Sequence, residues 1–417
     1  MFKYLENNFL KNFFNRSFIL SFFLSIVVSL TLFYLSQDQN LWFKFWGSLS
    51  ISPQAPFSDL KAHIHFYNCF QNGIDVFTTE CPLIPQGNSK ITTHPKIWLY
   101  LIKVLNLSNA KLYNLFIIIA FILYFYFIFR LFKIFQSYDS KIFLLLFLFS
   151  TTNFILIERF STDLIIFLIV YPIIMFRTRV IQFFLIFLGT ILKYYPIFLL
   201  SLFLDKKKIF LLSFSTIFIF LIFFHLNEIN NVNRNLVEMA LFTAYGSRTM
   251  LKALFHLSEN YNLFLDNNNL SFFRNLTLIL FFIYSAFLII IGYIKSKLLP
   301  VNYLDRFEKF FLIGASIYIG TFIIGANADY RLIFLIFTIP YILDIKNISL
   351  KYCLIFSYII SINSFLFQSG NVLSISFFMK AILVFGCKFF IFTSLLIMTG
   401  NILKKISLFE FKFLKNV

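Results

Sequence analysis

Asp59 sits in "FSDLKAHIHFYN" (Phe57 to Asn68), where a carboxylate, a lysine and two histidines, His63 and His65, stand among aromatic residues soon after a long apolar run. An isolated carboxylate of this kind can serve as a general base toward a hydroxyl. Other chemically able side chains recur in short polar islands: His94 before Pro95, Glu158, Arg159 and Asp163 in "ERFSTD", Lys193 with Tyr194 and Tyr195 in "LKYYP", and Asp329 and Arg331 in "NADYR". Lysine and arginine at such positions can stabilise a departing anion, and arginine suits two-pronged contact with phosphate. One base and opposed cations are the parts needed to move a group from a phosphate to a hydroxyl.

Each residue also has a plainer role. "SD" after the proline-containing "SPQAPF" has the form of a helix start, so Asp59 or Ser58 could cap a helix. Lys193 could snorkel to an interface, and Asp329 could pair with Arg331. For Glu158, Arg159 and Asp163 a local ion pair is the preferred reading, with acceptor positioning as the alternative. His94 could touch a donor phosphate or open a helix. His63 and His65 alternate along the chain with no third ligand nearby, so no metal site is expected.

Composition defines the solvent in which these groups work. Of 417 residues, 59% are hydrophobic and only 13% charged, against about a quarter charged in ordinary soluble domains. The chain reads as an all-α polytopic membrane protein. Its formal charge of +18 falls in short clusters between apolar runs, such as Lys206, Lys207 and Lys208 or Lys404 and Lys405. That pattern signals membrane topology rather than a nucleic-acid surface, which needs a continuous basic stripe. No Walker A loop, Rossmann glycine pattern or soluble nucleotide domain is present, so a nucleotide-linked donor is disfavoured, and no cofactor is expected.

Residues 17–36 are long enough to cross a bilayer, and no small-residue cleavage site follows, so they read as a retained first helix. Apolar runs recur near 112–132, 142–157, 163–176, 180–192, 195–204, 209–225, 274–294, 310–326, 331–345, 352–367 and 375–400. If 180–204 is a tight hairpin with Lys193 at its tip, the basic clusters all fall inside. About 12 segments in one domain, residues 1–417, are therefore expected, with both termini cytoplasmic. The hairpin is too short for two full crossings at roughly 20 residues each, so its arms must be short, tilted or sheltered.

This threading sends the unexplained polar islands to one outer face. They include loop 37–111, with Asp59 and His94, and loop 226–272, with Arg234, Arg248 and His256. Within the first loop, "HPKIWLYLIKVL" and residues 58–72 have the spacing of helices lying at the interface. In the second of these, Asp59, Ala62 and Phe66 share a face. Cys69 and Cys81 lie in the same loop, where an oxidising compartment would permit a bridge.

"SDLKAHIHFYNCFQNGIDVF", "HPKIWLYL", "ERFSTDLIIFLIV", "LKYYPIFLL" and "NADYRLIFLIFTIPYIL" occur in this order over roughly residues 15–345. They resemble the landmarks of the GT-C superfamily of polyprenyl-phosphate-sugar-dependent glycosyltransferases, most closely glycosyltransferase family 87, the mannosyltransferase-like group. The resemblance implies a GT-C-like bundle in the cell (inner) membrane. It implies transfer of mannose or a similar hexose from a polyprenyl-phosphate donor to a lipid or glycan acceptor, on the extracytoplasmic face and with inversion. Asp59 would be the base and Lys193 and Arg331 the phosphate contacts, with Tyr194, Tyr195, His94, Glu158, Arg159, Asp163 and Asp329 around the substrates. Membrane lipids are the other expected partners, and nucleic acid is not one. The competing expectation is a transporter or flippase for a lipid-linked sugar, which would place its charges along a path at mid-membrane.

Overall fold

Apolar runs of this length must satisfy every backbone polar group internally, and the α-helix does so within one segment. The computed structural model describes residues 16–49, 55–83, 91–92, 94–176, 178–204, 206–234, 244–247, 249, 270–296, 304–325, 327–367 and 375–406. Arg248 and His256 lie outside them, as does the side chain of Arg234. Each expected apolar run forms helix. Five helices are long and apolar enough to cross a membrane: Ile19–Gln37, Ala110–Ile134, Asn275–Lys295, Arg306–Ile324 and Met379–Lys405. A sixth candidate is the pair Tyr138–Leu148 and Thr151–Arg159, bent by 48°. Shorter apolar helices include Thr162–Met175, Arg179–Leu192 and Ile348–Ile362. The described residues are predominantly helical, and the chain is a membrane-embedded protein of the all-α class.

The structure divides into two compact units. The first takes residues up to Thr92, Lys96–Leu144 and Ile155–Pro172, and the second takes Thr93–Pro95, Leu145–Phe154 and residues from Ile173 onward. In the first unit α1 (Arg16–Gln37) packs along α5 (Ala110–Ile134). Between them in sequence come α2 (Gln39–Ser48), α3 (Ser58–Gln71) and α4 (Ile97–Val104). On α5, Ile117, Phe121, Tyr124, Ile128 and Leu131 are buried while Leu115, Ile119 and Leu123 are exposed. That is one packed face and one face left for lipid, at helical period.

The second unit is built around α12 (Arg306–Ile324), buried on most sides, with α11 (Leu270–Lys295) and α15 (Ile375–Lys405) packed along each other. Glycines let these two backbones approach closely. A Cβ added at Gly292 would stand 2.1 Å from the Ile397 carbonyl oxygen, and one at Gly400 2.1 Å from that of Ile289. Small residues serve helix pairs in membranes in this way, because close backbone packing replaces the missing hydrophobic drive.

The expected hairpin is present. α9 (Arg179–Leu192) stops at Lys193, which is extended, and a 3₁₀ helix, Tyr195–Phe203, returns along it. At the open end Arg179 donates to the Leu202 carbonyl at 3.0 Å, and its guanidinium lies 5.5 Å from the Phe203 ring centre. The 3₁₀ form also brings the two arms to similar length. Nine residues at about 2.0 Å each give roughly 18 Å, close to the roughly 21 Å of the α-helical arm. Neither arm spans a core of about 30 Å, and Leu199, Leu200, Leu202 and Phe203 on the return arm are buried by protein. A second 3₁₀ stretch, Asp329–Thr338, follows a two-stranded ribbon in which Ala244 pairs with Ala328 and Tyr245 with Asn327.

The glycine contacts give a paired prediction. Gly400→Ala should lower the unfolding temperature in detergent, because its Cβ meets backbone; forcing atoms into a packed contact costs about 1–3 kcal/mol. Gly386→Ala, on the same helix with nothing within 4 Å, should leave stability unchanged or raise it by up to about 1 kcal/mol. Equal shifts for the two variants would contradict the close packing of α11 and α15.

Candidate functional site

Asp59 lies in the first turn of α3, where the unpaired N–H groups of a helix favour a carboxylate. Neither it nor Ser58 is the N-cap. That position is Phe57, in the left-handed region at φ 58°, with no side-chain capping bond. Left-handed backbone costs a non-glycine residue about 1–2 kcal/mol, and aromatic packing offsets it here. The Phe57 ring lies 5.1 Å from Trp42, 5.6 Å from Phe121 and 6.0 Å from Phe160, while its N–H donates to the Glu158 carbonyl at 3.1 Å. The "SD" signature therefore marks the helix start correctly but misassigns the cap. A large apolar residue anchors the turn that presents Asp59.

The rest of α3 is fixed on two sides. His63 is buried and stacks on Trp98 of α4, ring centres 5.0 Å apart, which makes it a packing residue. Cys69 and Cys81 form a disulfide within a cluster of Phe66, Val76, Phe77 and Leu99. Glu158 and Asp163 are fully buried in the same unit. The Arg159 Nε lies 3.8 Å from a Glu158 carboxylate oxygen, the local ion pair expected of this island.

In the second unit the structure brings together residues far apart in sequence. The Lys193 ammonium lies 6.0 Å and the Arg331 guanidinium 5.3 Å from the centre of one ring, that of Tyr195. Each cation is attracted to the ring individually, while two like charges near one ring favour an anion in their vicinity. Arg331 also donates to the Asn327 side chain. Lys193 is buried, with Tyr194 next to it at the turn of the hairpin, and His94 is partly buried.

Asp329 does not pair with Arg331. Its partner is Lys388, whose ammonium lies 2.8 Å and 2.6 Å from the two carboxylate oxygens, with both side chains fully buried. Ser364 donates a further bond to Asp329, and Lys388 also reaches the Ala244 carbonyl at 3.0 Å. Lys388 was not anticipated, although one signal points to it: it is a lone charge within "FGCKFFIF", deep in an apolar run and far from the lysines that end it. A charge so placed needs a partner.

Asp59, Glu158, Arg159 and Asp163 thus belong to the first unit, and His94, Lys193, Tyr194, Tyr195, Asp329 and Arg331 to the second.

A pH effect follows from α3. Lys61 and His65 stand one turn apart, and burial, then the nearby Lys61 charge, lowers the His65 pKa below its ordinary 6.5. The folded protein therefore keeps His65 neutral where the unfolded chain takes up a proton, so stability falls as pH drops through about 6.5. The gap in unfolding temperature between wild type and His65→Gln should change between pH 7.5 and 5.5, with wild type losing more. Parallel profiles would show that His65 is not desolvated. No family model, curated protein or solved structure matches this chain.

Proposed function

We propose that the protein is an integral membrane glycosyltransferase of GT-C type, with about 12 membrane segments and interfacial helices in the first outer loop. It would move mannose or a similar hexose from a polyprenyl-phosphate donor to a lipid or glycan acceptor on the extracytoplasmic face of the cell membrane. The observation that carries this reading is the meeting of Lys193 and Arg331 at the Tyr195 ring. These residues are 331 − 193 = 138 positions apart in the chain, and a phosphate is the anion that two such cations suit. The ordered sequence landmarks supply the sugar and the lipid.

In this mechanism Asp59 accepts the proton of the acceptor hydroxyl as that oxygen attacks the anomeric carbon. The bond from that carbon to the phosphate oxygen breaks on the opposite face. The charge left on the phosphate is stabilised by Lys193 and Arg331, so the product sugar has inverted configuration. Position in the first turn of α3 lowers the cost of a charged Asp59 between turnovers.

A flippase or transporter for the same lipid has one observation in its favour, the pairing of Lys388, inside the candidate span Met379–Lys405, with buried Asp329. Yet the Asp329 oxygens and the Lys388 ammonium are occupied by each other, Ser364 and Ala244. That leaves the pair a bracing role rather than a transport one.

Asp59→Asn separates the readings. It preserves side-chain size and removes the base, so transfer from a lipid-linked donor by the purified, folded variant should fall about 10²–10⁴-fold, with donor binding and unfolding temperature close to wild type. Near-normal transfer would exclude Asp59 as the base. Lipid-linked sugar translocation without transfer, in wild-type vesicles, would favour the flippase.

A further inference from the structure

Lys388 bonds Asp329, two positions before Arg331, and so holds the segment that carries one of the cations. Its ammonium joins two pieces of chain, the Ala244 carbonyl on one strand of the ribbon and the Asp329 carboxylate just beyond the other. The same ribbon is held from several directions. Tyr245 stacks on Tyr318 at 5.1 Å and shares a hydrogen bond with Thr321 at 2.9 Å, and Tyr318 donates to the main-chain oxygen of Lys388 at 2.8 Å. Gly246, at φ 115°, lets the turn after the strand Ala244–Tyr245 press on Gly325, whose carbonyl oxygen would lie 1.8 Å from any Cβ there. Asn327, paired with Tyr245 across the ribbon, receives the bond from Arg331. Asp329 and Arg331 are two positions apart in a 3₁₀ helix of three residues per turn, so their side chains diverge by about 120°. One turns to Lys388 and the other to Tyr195.

We propose that Lys388 is a positioning residue for the anion site: by clamping Asp329 to the Ala244 strand it fixes the turn that delivers Arg331 to the Tyr195 ring beside Lys193. This rests on the anion-binding reading of those two cations. Stability alone does not account for the pair, because an apolar pair of similar volume commonly packs as well as or better than a buried ion pair. What an apolar pair cannot do is hold a carbonyl and a carboxylate from separate strands at one point.

The test uses the full-length protein in detergent, with a short-chain prenyl phosphate as the probe and the uncharged prenol of the same chain as its control. In the double variant Asp329→Leu/Lys388→Met the unfolding temperature should stay at or above that of wild type. Affinity for the prenyl phosphate should drop by about tenfold, the worth of one charge-assisted contact, while prenol affinity stays unchanged. General damage would lower both affinities, and that result would overturn the proposal. Arg331→Gln provides the reference. If it weakens phosphate binding and the double variant does not, Lys388 has no positioning role while the anion site stands. If Arg331→Gln binds the phosphate like wild type, the anion site fails and the positioning role with it. Should the double variant not fold, Ser364→Ala removes only the hydroxyl that bonds Asp329. It should weaken phosphate binding severalfold at unchanged unfolding temperature, and wild-type affinity there would overturn the proposal.

Discussion

A polar group inside hydrocarbon has no water to bond to, so every donor and acceptor along these apolar segments must find its partner within the chain. The structure meets this constraint in small local ways before it meets it in the site. Ser25 and Ser29 return their hydroxyls to carbonyls one turn back, at 2.6 Å each. Gln182 reaches out from α9 to the carbonyls of Ile173 and Phe176 at 3.0 and 2.9 Å, satisfying a helix end where the chain turns. The same requirement governs Lys388: an ammonium buried there persists because a carboxylate and a carbonyl were brought to it.

Much of the architecture was legible because it depends on near neighbours in sequence. Apolar run length locates the long helices, and alternation of packed and lipid-facing positions on α5 follows from the helical repeat. Likewise, Asp305 and Glu308 form a reciprocal capping box at the start of α12, a signal carried by four consecutive residues. The hairpin at 180–204 was legible from charge alone. Its 3₁₀ return arm was not, since nothing in "YPIFLLSLF" distinguishes a tight helix from an ordinary one except the space its partner leaves.

The candidate site was legible only in its members. Lys193 and Arg331 stand out as charges at the edges of apolar runs, but their meeting at Tyr195 depends on the hairpin, the ribbon and the 3₁₀ turn acting together. The pairing of Asp329 with Arg331 that their proximity allowed is not formed, and Asp329 answers to Lys388, 388 − 329 = 59 residues further on. Lys405, expected as a topological anchor, also proves to be paired, with Glu308 at the start of α12. In each case the long-range partner wins because burial makes a good partner worth more than a near one.

The cystine between Cys69 and Cys81 bears on how the protein is made. Both cysteines precede α5 in the chain, so both are synthesised before the second long apolar helix. The covalent closure of this loop can therefore occur while most of the polypeptide is still being translated, and it depends on a thiol oxidant in the compartment the loop enters. Assembly of the first unit thus combines two processes with separate suppliers, insertion by the membrane machinery and oxidation by a redox partner. Cells lacking the second would deliver a correctly inserted chain whose α3 is joined to residue 81 only through the intervening backbone.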